Sequence, residues 1–300
     1  MALGVALALP ALFAAWLLAV WPPPIWYQTH WPAETAFMAA AGGPIRYRPI
    51  PLDSIAPPLV AAVLTAEDAR FRQHGGIDWL EVRRALGYRR NAFAWSSARD
   101  RAELGRALSR VWDRRDALRG ASTITQQLAK NLYLSPSRNP LRKLKEAVTA
   151  YRLERALPKD RILELYLNVA ELGQGIWGAD AASRRYYRRG AGRLSESQAA
   201  ALAATLPFPR LSNPAYRPVR MRRRQEIILR RLHGERIEVP QEEDVPPQPG
   251  DTIQWTPGVD SLLDSLRAPV ETIPPALEAP ADSAIGSGQS TSLSGMTSAR

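Results

Sequence analysis

Residues 64–71 have the sequence LTAEDARF, which places a carboxylate on the apolar side of a short helix. Counted from Val60 at 3.6 residues per turn, the apolar stripe passes through Val63 and Phe71, and Glu67 lies within that stripe. An ionised carboxylate is costly among apolar groups, so Glu67 must either find a partner or keep its proton. The stretch therefore predicts either a general base or a glutamate that is partly exposed at a helix end.

The composition excludes several kinds of active site. The chain has 300 residues and no cysteine, so disulfides, thiolate metal sites and cysteine nucleophiles are excluded, and a catalyst must use carboxylate, hydroxyl or histidine groups. The net charge of +11 is unevenly distributed, because eleven acidic and three basic residues follow position 234 and leave +19 for residues 1–234. A body this basic predicts an anionic partner such as nucleic acid, anionic lipid or a phosphorylated substrate.

The chain begins with an apolar segment. Residues 2–21 carry no charge, and a run of about 20 apolar residues is long enough to cross a bilayer. We interpret residues 1–21 as a transmembrane anchor followed by a connector over residues 22–50. A cleaved signal peptide is the alternative, although the basic region that usually opens such a peptide is missing.

The body is predicted to be mainly helical, with almost no strand-like alternation. One helix begins at Pro57-Pro58 and ends near Gly75-Gly76, and Asp78 caps the next. Further helices are predicted over Pro140–Leu157, Lys159–Leu172, Ser195–Leu206 and Arg217–Leu232. In the first of these four, the predicted core face carries Leu141, Leu144, Val148 and Tyr151. Residues 235–300 form an acidic tail rich in proline and serine that we expect to be disordered.

A strongly basic segment spans residues 87–118. Leu104, Leu108 and Trp112 recur there at helical spacing among many arginines. Such an amphipathic helix can lie on an anionic membrane surface, and an ordinary helix with a solvated face fits the pattern equally well.

Two later polar groups each have an ordinary structural explanation. Thr123 and Gln126 have the spacing of a capping box, which explains part of the polarity of residues 120–127. Glu146 follows Arg142 by four residues and can form a salt bridge with it on one helix.

Four sequence motifs, in order, resemble those of peptidoglycan glycosyltransferases of family 51. They are Glu67-Asp68-x-x-Phe71-x-x-His74-x-Gly76, Gly120-x-Ser122-Thr123-Ile124-Thr125-Gln126-Gln127-x-x-Lys130-Asn131, Arg142-Lys143-x-x-Glu146 and Lys159-x-x-Ile162-Leu163-x-x-Tyr166-Leu167-Asn168. A weaker fifth element spans Ala199 to Pro207. The resemblance covers roughly residues 51–232. The basic segment between the first two motifs departs from the family pattern, because it is expanded by roughly two dozen residues.

The resemblance implies a fold and an activity. The fold is a mainly α, lysozyme-like helical catalytic domain over residues 51–234 with a smaller membrane-apposed lobe, preceded by one transmembrane helix. The activity is the polymerisation of lipid II, with inversion at the donor anomeric carbon and release of undecaprenyl pyrophosphate. No transpeptidase domain follows, so the chain resembles the monofunctional type. The expected location is the bacterial inner membrane, as a single-pass protein with its catalytic domain on the extracytoplasmic side.

The resemblance also assigns roles to the motif residues. Glu67 is the expected base, and Glu146 is the second catalytic carboxylate, which orients cations or holds a metal near the pyrophosphate. The residues expected to bind substrate are Ser122, Gln126, Gln127, Lys130, Arg138, Arg142 and Lys145. Asp68, Phe71 and His74 are expected to support the site structurally, with proton transfer the alternative for His74. A divalent cation, Mg²⁺ or Mn²⁺, is a candidate cofactor, and no residue is assigned as a dedicated metal ligand.

The expected partners are lipid II, the growing glycan strand, the membrane and other cell-wall synthesis proteins, and not nucleic acid. Two other classes of function are alternatives. A lysozyme-like peptidoglycan hydrolase would use the two glutamates as acid and base around a glycosidic bond. A non-catalytic, membrane-tethered binding protein would use its arginines for DNA or anionic lipid, but the sequence has no recognised DNA-binding motif.

Overall fold

The computed structural model describes residues 11–85, 96–113, 122–134 and 140–237 of the chain. These residues are mainly helical, as the sequence predicts. The helices are α1 (11–18), α2 (Ala36–Ala41), α3 (Pro57–Glu67), α4 (Trp79–Ala85), α5 (Ala98–Asp113), α6 (Ile124–Tyr133), α7 (Pro140–Ala156), α8 (Lys159–Val169), α9 (Ala179–Tyr187), α10 (Glu196–Thr205) and α11 (Pro218–Leu232). The strands are β1 (Arg46–Tyr47), β2 (Glu171–Gly173) and β3 (Ile176–Trp177).

The buried apolar residues form one core, to which two groups of helices contribute. One group is α3, α10 and α11, and the other is α6, α7 and α8. The predicted inward face of α8 is confirmed, because Ile162, Leu163, Tyr166 and Val169 are all buried. Burial of these apolar faces is the main stabilising contribution, at about 25 cal/mol for each Å² removed from water.

A small sheet with the order β1-β3-β2 lies beside the helices. β1 pairs in parallel with β3, and β2 is antiparallel to β3. The side chain of Asn168 joins this region to α8, because its Oδ1 accepts from Ile50 N at 2.9 Å and its Nδ2 donates to Ile50 O at 2.8 Å. Gly178 has a φ of +85° and lies against the backbone of Asn168, where a Cβ atom would come within 2.3 Å of the carbonyl oxygen. Position 178 therefore requires glycine.

Two predicted helices are shorter in the structure. The helix that was expected to continue to Gly75-Gly76 ends at Glu67, because Asp68 leaves the helical conformation (φ −162°, ψ 74°) and its carboxylate bonds elsewhere. Phe71 therefore lies on a separate short turn, Phe71–Gln73. The helix predicted over Lys159–Leu172 ends at Val169, because the next residues enter the sheet as β2.

The predicted core face of α7 is wrong. Leu141, Leu144 and Tyr151 are 49%, 44% and 55% exposed, whereas Leu153 is buried. Ala150 is buried beside it, and so is Glu146 one turn earlier. The opposite face packs inward because small and apolar groups fit against α6 there, and because Glu146 has partners that offset the cost of burying its charge.

The amino-terminal residues pack against the domain. Tyr27 and Met38, within the predicted connector, are both buried in the common core. Arg152 of α7 donates to the carbonyl oxygen of Leu18 at the end of α1. Among the described residues, no helix is both long enough and apolar enough to span a membrane.

Three predictions lie wholly or partly outside the described residues. These are residues 1–10 of the anchor, Arg138, and residues 238–300 of the acidic tail. The basic segment is described in part, and its predicted helix is present as α5. The lysozyme-like division into two lobes stays a prediction.

Candidate active site

Glu67, at the carboxyl end of α3, has two donors. Its Oε1 lies 3.0 Å from Arg224 Nη2, and its Oε2 accepts a hydrogen bond from Gln127 Nε2 at 2.9 Å. The side chains of Glu67 and Arg224 are only 11% and 14% exposed. A cation and an amide donor both stabilise the ionised carboxylate, which is the form that can accept a proton.

Tyr166 sets the orientation of the Gln127 amide. The Tyr166 hydroxyl donates to Gln127 Oε1 at 2.9 Å, so the amide nitrogen is directed towards Glu67. Burial raises the pKa of Tyr166 well above its ordinary value, and the nearby charge of Glu67 raises it further. The phenol therefore keeps its proton and remains a donor, which stabilises one orientation of the amide.

The loop after Glu67 is fastened to the amino terminus of α6. Asp68 Oδ2 accepts from Ile124 N at 3.0 Å, and Asp68 Oδ1 lies 2.9 Å from His74 Nε2. Further along the loop, Thr123 Oγ1 donates to Gly76 O at 2.6 Å. These bonds hold the first motif against the second, which brings Glu67 opposite Gln127 although 60 residues separate them in the chain.

The amino terminus of α6 has the predicted capping box. Thr123 Oγ1 accepts from Gln126 N at 3.2 Å, and Gln126 Oε1 accepts from Thr123 N at 3.1 Å. Gln126 is buried, and its amide oxygen is committed to the cap. The cap fixes the start of the helix that carries Gln127 and Lys130.

A cluster of cations surrounds the buried carboxylate of Glu146. Its Oε2 accepts from Arg142 Nη1 at 3.1 Å, and its Oε1 pairs with Lys143 Nζ. Lys143 Nζ also lies 2.9 Å from Ser122 Oγ. Glu146 therefore positions two cations at once and joins the second and third motifs through Ser122.

Lys130 is close enough to both glutamates for their negative charges to act on its ammonium group. Burial lowers the pKa of Lys130 below its ordinary value, and the negative charges of Glu146 and, more weakly, Glu67 oppose that change. The cations Arg142 and Lys143 lower it further. We call Lys130, Arg142 and Lys143 the cation group. It provides positive charge beside the Glu67 carboxylate, an arrangement suited to a reaction in which a base acts on one side and negative charge develops on the other.

A transglycosylase family model matches residues 36–93 and 90–233 of the chain. The chain is 41% identical over 238 residues to the biosynthetic peptidoglycan transglycosylase of Bordetella avium strain 197N, which covers 76% of this chain and 92% of the relative. It is 39% identical over 234 residues to the protein with the same description from Chromobacterium violaceum, with 75% and 93% covered. The chain belongs to the transglycosylase family.

In this transglycosylase, the structure brings together most of the predicted site residues that it describes. Glu67, Gln127 and Lys130 form one group, and Ser122, Arg142 and Glu146 form another beside it. Phe71 is buried with Lys159 Nζ 4.3 Å from its ring centre. Lys145 instead lies against Trp16, with Nζ 4.7 Å from the ring centre. The predicted roles of these residues in catalysis and binding stay predictions.

The site geometry includes three residues that are absent from the predicted set, Arg224, Lys143 and Tyr166. Arg224 was one of many arginines in a basic helix, and no local signal distinguishes the one that reaches Glu67. Lys143 and Tyr166 belong to the third and fourth motifs, but the resemblance assigns neither of them a role in binding or catalysis. The spacing of three residues between Lys143 and Glu146 was the available signal, since residues at that spacing share a helix face.

The transglycosylase offers two places where a divalent cation could be considered, and neither fits well. Both oxygens of Glu146 already pair with Arg142 and Lys143, whose positive charges would repel a metal ion. Asp68, His74 and Asp78 have atoms within 4.8 Å of one another. However, both oxygens of Asp68 accept hydrogen bonds, and Asp78 Oδ1 caps α4 and lies near Arg70.

Proposed function

We propose that this protein polymerises lipid II into glycan strands by inverting glycosyl transfer. The observation that carries the proposal is the pairing of one partly buried carboxylate, Glu67, with a separate cation group, in a chain that belongs to the transglycosylase family. Its relatives are described as biosynthetic peptidoglycan transglycosylases. The reaction needs both parts, because a hydroxyl must lose a proton while a pyrophosphate leaves.

Glu67 is the base in this proposal. The acceptor sugar's 4-hydroxyl attacks the donor anomeric carbon, its proton passes to Glu67, and the bond from that carbon to the pyrophosphate oxygen breaks. Arg224 and Gln127 each contact one carboxylate oxygen and fix the orientation of the carboxylate before the acceptor arrives. A positioned base typically contributes about 100- to 10,000-fold to a rate.

The cation group stabilises the departing pyrophosphate. Lys130 and Arg142 supply charge where negative charge develops, and Glu146 keeps Arg142 and Lys143 in place. Arg138 and Lys145 belong to the same proposal through the motif resemblance. A divalent cation, if one is used, would be held mainly by the pyrophosphate itself, because Glu146 has both oxygens paired.

The hydrolase alternative is less well supported. A glycosidase with two catalytic carboxylates needs one of them to donate a proton to the leaving group. Both oxygens of Glu146 already pair with Arg142 and Lys143, so neither is free to face a leaving group. Glu146 is therefore suited to positioning cations and poorly suited to donating a proton.

We also propose that an exposed apolar surface meets the membrane. Leu12, Trp16 and Trp21 are 66%, 41% and 86% exposed, and Leu141 and Tyr151 of α7 are also exposed. α1 and α7 adjoin, through Lys145 over the Trp16 ring and Arg152 at the Leu18 carbonyl. An apolar patch rich in aromatic residues is typical of a membrane interface.

The experiment that tests the function uses purified protein and lipid II. Formation of glycan polymer with release of undecaprenyl pyrophosphate is the expected result. Release of soluble muropeptides from preformed sacculi, without polymer formation, would contradict it. Flotation with liposomes tests the membrane surface on a chain without residues 1–10, so that the predicted anchor is too short to span the bilayer. The Leu141→Ser, Leu144→Ser variant of that chain should bind less, and unchanged binding would count against the surface.

A further inference from the structure

An open cavity of about 530 Å³ lies between β1 and the carboxyl-terminal part of α9. Five arginines line it, two from the β1 region and three from α9 and its end: Arg46, Arg48, Arg184, Arg185 and Arg188. We call this feature the arginine cavity. None of its residues belongs to the cation group, which lies around Glu146 on α6 and α7.

In the part of the chain that the structure describes, Asp180 is the one carboxylate that forms ion pairs with these arginines. Asp180 is buried, and its Oδ2 lies 3.2 Å from Arg48 Nε and 2.8 Å from Arg184 Nε. Within the described ranges, the guanidinium groups of Arg46, Arg185 and Arg188 form no ion pair. The cavity therefore keeps a strong positive charge, and a bound anion would relieve the repulsion among the arginines.

Stabilisation of a helix end does not explain the whole group. Cations are favoured near the carboxyl terminus of a helix, which would explain Arg184 and Arg185 on α9. This preference for cations at a helix end does not explain Arg46 and Arg48, which come from the β1 region. Arg188 also adopts the left-handed conformation (φ 56°, ψ 31°) that glycine or asparagine usually occupies, so its place at the cavity is maintained against a backbone cost.

The arginine cavity is distant from Glu67. Ala191 N donates to Asp180 Oδ1, and Ala191 O accepts from Ala56 N, immediately before the first residue of α3. Glu67 is the last residue of that 11-residue helix. At 1.5 Å per residue, the two sites lie at opposite ends of a helix of roughly 15 Å, so one ligand group cannot occupy both.

We propose that the arginine cavity is a second anion site, which binds a ligand carrying linked phosphoryl groups. Guanidinium forks match the oxygens of phosphate, and several convergent forks match more than one phosphoryl group. The volume exceeds what a single phosphate fills, so the cavity has room for more than one phosphoryl group. Soluble pyrophosphate carries two linked phosphoryl groups, and the neighbouring headgroups of an anionic membrane present several phosphates side by side to the same guanidinium groups.

The test compares two charge-matched variants of the full chain in detergent. Arg46→Gln with Arg188→Gln removes two unpaired arginines and leaves both Asp180 ion pairs intact. Arg222→Gln with Arg223→Gln removes the same charge from exposed positions on α11. Both are made in a Lys130→Gln background, so that pyrophosphate bound at the cation group contributes less to the signal. Pyrophosphate binding is measured by calorimetry.

The cavity variant should bind pyrophosphate about 10-fold more weakly than the matched control. Sedimentation with phosphatidylglycerol-containing vesicles, and with phosphatidylcholine vesicles as the neutral reference, forms the second arm. If the cavity variant binds pyrophosphate more weakly than the control, the ligand is a soluble one. If the cavity variant loses only its binding to anionic vesicles, the ligand is a lipid headgroup. Equal behaviour of both variants in both arms would overturn the proposal. If the double variant does not fold, Arg185→Gln alone is compared with Arg222→Gln in the same way.

Discussion

Glu67 Oε1 lies 3.0 Å from Arg224 Nη2, although the two residues are 157 positions apart in the chain. The contact joins the end of α3 to the last helix of the domain. It also answers the question raised by a carboxylate on an apolar helix face. Of the two outcomes that the sequence allows, the structure shows that Glu67 finds partners, because Arg224 and Gln127 each contact one of its carboxylate oxygens.

Replacing Glu67 by glutamine should preserve the fold and reduce polymerisation by at least ~100-fold, because the amide cannot accept the acceptor proton. Initial rates with lipid II measure the activity, and thermal unfolding checks the fold. Near-normal activity would remove Glu67 from the role of base.

Replacing Arg224 by glutamine should reduce kcat/KM by about 10-fold or more, because the carboxylate loses a cation that stabilises and orients it. The loss should appear mainly in kcat, since the misplaced carboxylate affects proton transfer more than substrate binding. The exposed neighbour Arg223 serves as the control, as Arg223→Gln, and should leave both kcat and KM unchanged. A rise in KM with kcat unchanged, or equal effects of the two changes, would contradict a role of Arg224 in orienting Glu67.

Because of Lys130, kcat/KM should begin to fall at a lower alkaline pH than an ordinary lysine would cause. Burial lowers the pKa of Lys130, so the free enzyme loses this cation below the ordinary lysine value of about 10.4 as the pH rises. Lys130→Arg, which stays charged, should move the alkaline limb of kcat/KM to higher pH. Lys159→Arg is the control and should leave the limb in place. A limb that is the same in all three proteins would contradict the assignment to Lys130.

Tyr166→Phe should lower the polymerisation rate by about 2- to 10-fold, the value of one hydrogen bond, because the Gln127 amide is then free to turn away from Glu67. Tyr133 provides a matched comparison, because its buried hydroxyl has no hydrogen-bond partner in the described structure. Tyr133→Phe should leave the rate unchanged. Equal effects of the two changes on the rate would refute the orienting role of Tyr166.

Asp68→Asn should destabilise the domain by about 2 kcal/mol, because it weakens the bonds of the loop to His74 and to Ile124 N. Chemical denaturation measures the change in the free energy of unfolding. Asp160→Asn is the control, since its ion pair with Arg72 is exposed and should contribute less than about 1 kcal/mol. The prediction fails if Asp68→Asn is no more destabilising than the control.

Much of the local structure was predictable. The capping residues Thr123 and Ser195, and Pro158 between α7 and α8, mark helix ends in the sequence, and the observed ends agree to within a few residues. The prediction that the helix continues past Glu67 is wrong, because the side chain of Asp68 accepts a hydrogen bond from the backbone of α6. That partner is 56 residues away, and helical periodicity contains no information about it.

The α7 error has a different physical cause. Periodicity identified an apolar face with Leu141, Leu144 and Tyr151, but it cannot tell whether such a face packs on protein or remains exposed. The structure leaves it exposed and buries Glu146 with two cations. The charge of Glu146 can be buried on the opposite face because its ion pairs with Arg142 and Lys143 offset the cost of removing it from water.

The sequence by itself determined the helical composition, several helix ends, the excluded chemistries and the motif residues around Glu67 and Glu146. These depend on neighbours within a few residues, where capping and periodicity act. Only the tertiary structure decided that Arg224 reaches Glu67, that Tyr166 orients Gln127, and that five arginines share one cavity. Those contacts join residues far apart in the chain, and the charge of a site depends on every group that the fold brings within a few ångströms.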